Sequence, residues 1–372
     1  MSRKLELRYF AHSWVSDWNH GNAHFLRGLA RALVRMGHGL RCYEQLGSWS
    51  LTNLIRSEGE KAIAAIDDFR RQYSDLDVRF FELTGAQREE LKNELRDADV
   101  VLVHEWNEPA LVNIILELKQ ELGFRTLFHD THHRAYTQPG AILKTNIHLF
   151  DGVLAFGEAL RKIYKDGFGI ERVWTFHEAA DVEHFHPLPA QRQADVLWIG
   201  NWGDEERTRE LLEYLIEPAR QLGDLKFVAH GVRYPAPALS ILEEAKIEFR
   251  GYLPNLQAPQ AYAECGVAVH VPRRQYANGL GGIPTIRIFE ALACGAALVC
   301  SPWEDVEELF RAGQDFISVP NGVVMQAELQ RLLRDDGARR QIGESGLETI
   351  RARHSCTHRA EQLTEICEEL LR

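Results

Sequence analysis

The sequence predicts a parallel α/β protein built as two successive Rossmann-like halves. Three observations carry that expectation. Short apolar runs alternate with helix-period segments from end to end, the pattern of strands joined by crossover helices. The alternation stops at a polar stretch bearing two prolines, His184–Ala194, and starts afresh at Asp195. The polar clusters AHSW, HEWNE, HDTHH, HEAAD, IGNWGDEER and HG each follow a strand, which is where open parallel sheets hold ligands.

In order, Leu5–Phe10 is the first expected strand, followed by a polar turn and a helix from Ala23 to Met36. Phe25, Leu26, Leu29, Leu33 and Met36 give that helix one apolar face. Gly37 and Gly39 close it, and Leu40–Tyr43 is the second strand. A charged helix over Asn53–Tyr73, a strand over Val78–Leu83 and a second charged helix over Ala86–Asp97 come next. Strands follow at Val100–His104, Thr126–His129, Gly152–Phe156 and Arg172–Phe176, separated by helices over Pro109–Leu122 and Glu158–Lys165. In the second half Asp195–Gly200, Lys226–His230 and Gly266–Val271 are strands, and Glu205–Leu222 is a helix. The tail, Ala327–Arg372, is helical.

A chain of 372 residues can bury two full cores. A net charge of −11 argues against a nucleic-acid partner, because a phosphate backbone calls for a basic surface. No signal peptide is visible and no apolar run approaches the ~20 residues that span a bilayer. The six cysteines show no CxxC spacing, so free buried thiols and a cytoplasmic location are expected.

The most informative stretch is Gly279–Cys300, GLGGIPTIRIFEALACGAALVC. Its glycines permit tight turning and close approach to a ligand. Pro284 suits a first helical turn and Gly295 a C-cap. Arg287 and Glu290 are the charged exceptions on a helix that is otherwise apolar. They pair with each other, or they hold a polar ligand at a helix N-terminus that favours phosphate. Gly200, Asn201 and Gly203, with Arg207 near the next helix start, form a second anion-binding pattern; a short loop with a solvated Arg207 is the competing reading. Gly21 and Asn22 would face these arginines across a cleft between the halves.

In HDTHH, His129 suits a general base or a ligand of a sugar hydroxyl, and Asp130 suits a group that orients it or a loop cap. His132 and His133 are adjacent and diverge, so no metal is expected there. Arg27, Arg31 and Arg35 repeat along the first helix, as a solvated stripe or a weak membrane contact.

The stretches FDGVLAFGEALRKIYKDGFGIERVWTFHEAADVEHFHPLP and PTIRIFEALACGAALVCSP resemble GT-B glycosyltransferases, and especially the CgeB-type branch related to family 4. The resemblance implies two Rossmann-like domains with parallel sheets facing a deep interdomain cleft. An acceptor-side domain would span 1–185 and a donor-side domain 186–350, with a final helix, 351–372, returning towards the first. It implies that Glu290 binds the ribose of a nucleoside diphosphate sugar. Gly200, Asn201, Arg207, His230, Ile283, Pro284, Thr285 and Arg287 would line the donor. Gly21, Asn22, Glu105, His132 and His133 would lie on the sugar or acceptor side, with His129 and Asp130 catalytic. The family's earlier glutamate falls at Gly282, a departure. The expected activity is metal-independent glycosyl transfer, with no cofactor, to a glycan, lipid-linked glycan, protein or small molecule. A nucleotide-sugar epimerase and a non-catalytic nucleotide-sugar binder are the alternatives.

Overall fold

The computed structural model describes residues 3–83 and 87–372. Ala86, the expected start of a charged helix, lies outside the described residues; that helix runs Gln87–Leu95. The chain forms two compact units, Met1–Glu178 with Cys356–Arg372, and Ala179–Ser355. These divisions fall at 178/179 and 355/356, where the sequence placed them at 185/186 and 350/351. The chain entering and leaving the second unit is stitched together there: Ala180 N donates to His354 O at 3.0 Å and Ala180 bridges Ser355.

The first unit holds a seven-stranded sheet. Its strands are β1 (Glu6–Phe10), β2 (Gly39–Gln45), β3 (Asp77–Phe81), β4 (Val100–His104), β5 (Arg125–Asp130), β6 (Gly152–Ala155) and β7 (Val173–Thr175). They lie in the order β3-β2-β1-β4-β5-β6-β7, every pair parallel. β4, VVLVH, is buried at every residue, as a central strand covered on both faces must be. The order reverses between β1 and β4, where Phe10 pairs with Val103, so the chain beyond β1 leaves beside His104. The helix Cys356–Leu370 packs on the helix Ala23–Arg35, with Cys356 Sγ 3.8 Å from Phe25 O. Thr364 Oγ1 meets His38 Nε2 at 3.1 Å, and Arg359 Nε donates to His177 O at 3.0 Å.

The second unit repeats the plan with β8 (Ala194–Ile199), β9 (Phe227–His230), β10 (Glu248–Phe249), β11 (Cys265–His270), β12 (Leu298–Cys300) and β13 (Ile317–Ser318). The order is β10-β9-β8-β11-β12-β13, again all parallel, with the reversal between β8 and β11. Val196, Trp198, Phe227, Val267, Val269 and Val299 form the sheet side of its core.

Several expectations need correction. The helix expected over Asn53–Tyr73 is two, Trp49–Glu58 and Glu60–Gln72, because Gly59 turns at φ +56°. The helix expected from Glu205 starts at Thr208 and contains a wide turn at Leu212–Ile216, just before Pro218. Proline has no N–H and its ring crowds the carbonyl four residues back, which explains a local widening. The arginine stripe is neither solvated nor available to a membrane at Arg27 and Arg31, which are 1% and 4% exposed. Arg27 donates to Trp14 O (2.8 Å) and Val15 O (3.1 Å), pairs with Asp17 (3.1 Å) and lies over Phe69. Arg31 lies over Tyr73 and reaches Gln72 O and Asp75. Their long stems let charged heads thread to carbonyls beneath neighbouring segments. The six cysteines are free, and among the described residues no helix is long and apolar enough to cross a membrane.

Candidate functional site

Each sheet presents a cluster of polar groups at its reversal, the crevice where strand order lets the chain diverge and a ligand enter. In the second unit that crevice lies past the ends of β8 and β11. Gly200 and Asn201 follow β8, and Gly203 turns at φ +91°. A Cβ on Gly203 would stand 2.8 Å from the Arg207 side chain, so glycine lets Arg207 fold back over the loop. Arg207 is 9% exposed. Its Nη1 donates to Val271 O (3.1 Å), just past β11, and its Nη2 to Asn201 O (2.9 Å) and Oδ1 (2.6 Å), just past β8. The guanidinium thus spans the reversal, resting 5.1 Å from the Trp198 ring.

Among the described residues no carboxylate pairs with Arg207, and its Nε is buried without a hydrogen-bond partner. Burial, and then the nearby Arg273 and Arg287, push its pKa down to about 9. Arg273 and Arg287 each have a carboxylate of their own, Glu206 and Glu290, whereas Arg207 has carbonyl and amide oxygens. His270, the last residue of β11, belongs to the same cluster: Nε2 meets Thr285 Oγ1 at 3.2 Å. Burial first, then Arg207 and Arg287, lower its pKa to about 3, so it is neutral. Thr285 is the N-cap of the helix Ile286–Ala293, and its hydroxyl is spent on His270 rather than on a cap bond. The first N–H groups of that helix have no intrahelical acceptor.

Arg287 and Glu290 pair on this helix; Glu290 is fully buried and also accepts from Tyr262 OH at 3.4 Å. The pairing reading is therefore present in the structure. Ile283 and Pro284 do not offer donors as expected. Ile283 N–H is directed to Leu280 O (3.4 Å), its carbonyl accepts from Trp303 Nε1 (3.1 Å), and proline has no N–H. His230 ends β9, with burial and then Arg250 lowering its pKa to about 4. Gly282 turns at φ +88° and a Cβ there would meet Val306 at 2.3 Å. The position where the family carries a glutamate is thus closed to one.

In the first unit the reversal lies past β1 and β4. His104 ends β4, and its Nε2 bonds Thr131 Oγ1 at 2.9 Å. Glu105, the next residue, is buried; its Oε1 accepts from Thr131 N (3.0 Å) and its Oε2 lies 3.8 Å from Arg134. Burial, and then Asp130, hold the Glu105 carboxyl well above the usual carboxylate range. Asp130 accepts from Tyr164 OH (2.7 Å) and His132 N (2.9 Å). His129 is 0% exposed, enclosed by Tyr9, Phe25, His104 and Phe176, with Tyr9 OH bonded to its Nδ1. Burial lowers its pKa to about 3. His132 packs on the exposed Trp106 ring, which Arg134 also covers at 4.4 Å. His133 is buried on Thr137 (2.9 Å). Gly21 and Asn22 precede the helix Ala23–Arg35, and Asn22 Nδ2 donates to Thr131 O at 3.4 Å.

Sequence reasoning missed His270, His12, His20 and His104 as individual residues. The signal was there for three of them: His270 and His104 end strands and His12 lies two residues past one, where apolar sequence gives way to polar.

Residues 207–365 match the family described as Glycosyl transferase-like. No curated protein matches the chain. Solved structures match over essentially the whole chain. A glycosyltransferase from Rickettsia africae is 11% identical over 100% of this chain and 99% of its own, with a TM-score of 0.66. Anabaena HepE in complex with UDP-glucose is 11% identical over 98% of this chain and 100% of its own, with a TM-score of 0.70. Sucrose-phosphate synthase from Thermosynechococcus elongatus is 14% identical over 99% of each chain, with a TM-score of 0.66. These likenesses show that the fold is GT-B.

Proposed function

We propose that the protein is a glycosyltransferase that moves a sugar from a nucleoside diphosphate sugar to an acceptor hydroxyl or amine. One observation carries the reading: Arg207 is a buried guanidinium at the reversal of the second sheet with no carboxylate partner among the described residues. A diphosphate supplies the missing counter-charge. The match of residues 207–365 to a Glycosyl transferase-like family supports it, as does the likeness to a protein solved with UDP-glucose. The arginine before Glu290 favours the CgeB-type branch over the two-glutamate pattern.

In the reaction the bond from the anomeric carbon to the diphosphate oxygen breaks and a bond to the acceptor heteroatom forms. Negative charge grows on the leaving diphosphate, and the acceptor's one proton passes to that diphosphate or to water. Arg207, Arg287 and the free N–H groups at the start of the helix Ile286–Ala293 stabilise that charge, so the diphosphate requires no metal. Glu290 holds the ribose hydroxyls while Arg287 keeps its carboxylate ionised. The first unit receives the acceptor. There Trp106, His132 and Asn22 offer reachable surface, whereas His129, closed in by Tyr9, Phe25 and Phe176, and Asp130, taken up by Tyr164 OH and His132 N, position the loop rather than touch the acceptor.

Calorimetric titration with uridine diphosphate, other nucleoside diphosphates and the matching nucleosides tests the reading. We expect one diphosphate to bind far more tightly than its nucleoside, and its sugar conjugate to release free diphosphate slowly in water. No binding of any nucleoside diphosphate would overturn it.

A further inference from the structure

We propose that His12, His20 and His104 bind a first-row divalent cation, zinc foremost, at the reversal of the first sheet. They come from three places in the chain: two residues past β1, just before the helix Ala23–Arg35, and the end of β4. One nitrogen of each lies within 4.8 Å of the others. The ring centroids are 4.0 Å (His12–His20), 5.4 Å (His12–His104) and 6.1 Å (His20–His104) apart. Two imidazoles sharing one tetrahedral zinc at the usual bond length have ring centres about 5 Å apart. Modest ring rotation therefore brings the three onto one ion.

The nitrogens needed are the ones lacking partners. His12 Nδ1, both nitrogens of His20 and His104 Nδ1 are buried without a hydrogen bond. Such atoms are rare in proteins, and here several converge on one place. Ser16, on the same loop, lies within reach of the His20 ring through its main chain.

The surroundings resemble the outer layer of a metal site. His104 bonds Thr131 Oγ1 through Nε2, and Thr131 Oγ1 lies 3.4 Å from Glu105 Oε1. With the Thr131 hydroxyl donating to Glu105, Nε2–H donates to Thr131 and Nδ1 is the ligand atom. The loop after His12 is fixed by Glu44, which accepts from Trp14 N (2.6 Å) and Val15 N (2.9 Å), and by Arg27. The cluster contains imidazoles only, which suits zinc, copper or nickel and not magnesium or calcium. Three protein ligands leave a fourth tetrahedral position for water or an oxygen of the acceptor. The spacing of HDTHH could not reveal this, because all three ligands lie outside residues 129–133.

The proposal stands apart from the glycosyltransferase reading, and its test separates them. Full-length protein stripped with a strong chelator is titrated with Zn²⁺ by calorimetry and with Co²⁺ by absorption spectroscopy. We expect one equivalent bound, a tetrahedral cobalt spectrum, and at least a tenfold affinity loss in His12→Gln and in His104→Gln. X-ray absorption on the zinc-loaded wild type, which needs no variant to fold, should count three imidazole ligands. No stoichiometric uptake by the wild type overturns the proposal, as does a count below three, or uptake unchanged in both variants. Nucleoside diphosphate affinity should be the same with and without the metal; its loss on stripping would overturn the separation of the two sites.

Discussion

The two units share one strand order, yet their reversals carry opposite chemistry. The second presents a guanidinium held only by carbonyls and an amide oxygen, with two more arginines nearby. The first presents a cluster of imidazoles and a buried carboxyl pair, Glu105 and Asp130, whose pKa values burial raises. A second contrast runs through the buried arginines themselves. Arg27 of the first unit has Asp17 and two carbonyls and braces a loop. Arg207 of the second has, among the described residues, carbonyl and amide oxygens but no carboxylate, which is why we propose it for the diphosphate. On the two proposals, one scaffold serves an anion or a cation according to which side chains end its two central strands.

Substitutions should break that contrast unequally. The largest effect is expected at Arg27: Arg27→Met removes a buried ion pair and two main-chain bonds, a loss of roughly 3–5 kcal/mol. Denaturant unfolding should show it, while diphosphate affinity in the folded fraction stays constant. Next is Arg207→Ala, which should weaken nucleoside diphosphate binding about ten- to a hundredfold, from a charge-assisted contact of ~1.5–3 kcal/mol. Nucleoside affinity should be unmoved; an equal loss for both would make Arg207 a brace like Arg27.

His270 gives a pH effect whose sign follows from its lowered pKa. Between about 6.5 and 3 the unfolded chain binds a proton that the folded one refuses, so stability is lost as pH falls through that window. His270→Gln should remove this part of the acid sensitivity, roughly 2 kcal/mol between pH 6.5 and 5. Arg207 and Arg287 face the ring and keep their charge throughout, and Thr285 does not titrate. Parallel stability curves for variant and wild type would refute it.

Smaller still, Glu290→Gln should weaken ribonucleotide binding several-fold, about 1 kcal/mol. Unchanged affinity with a lower Tm would make the Arg287–Glu290 pair structural. Smallest of all, chelation should leave diphosphate binding untouched, since the second unit answers its anion with arginines.

Much of the frame was legible from the sequence. Alternating apolar runs located most strands of both sheets, because a strand buried on two faces must be apolar throughout. β10 and β13, two residues each, fall below any periodic signal. The Gly59 break and the wide turn before Pro218 needed the backbone, since either residue is also compatible with a longer or later helix.

By itself, then, the sequence determined the class of fold, the restart of the second half near Asp195 and the candidate residues at the strand ends. Periodicity and punctuation are local, and local physics sets them. Only the tertiary structure decided that Arg31 is buried rather than wet, that Ile283 N–H is already engaged, and that His12, His20 and His104 meet. Those outcomes depend on which distant segments pack together, and burial and partnership are properties of the packed chain that no spacing along it records.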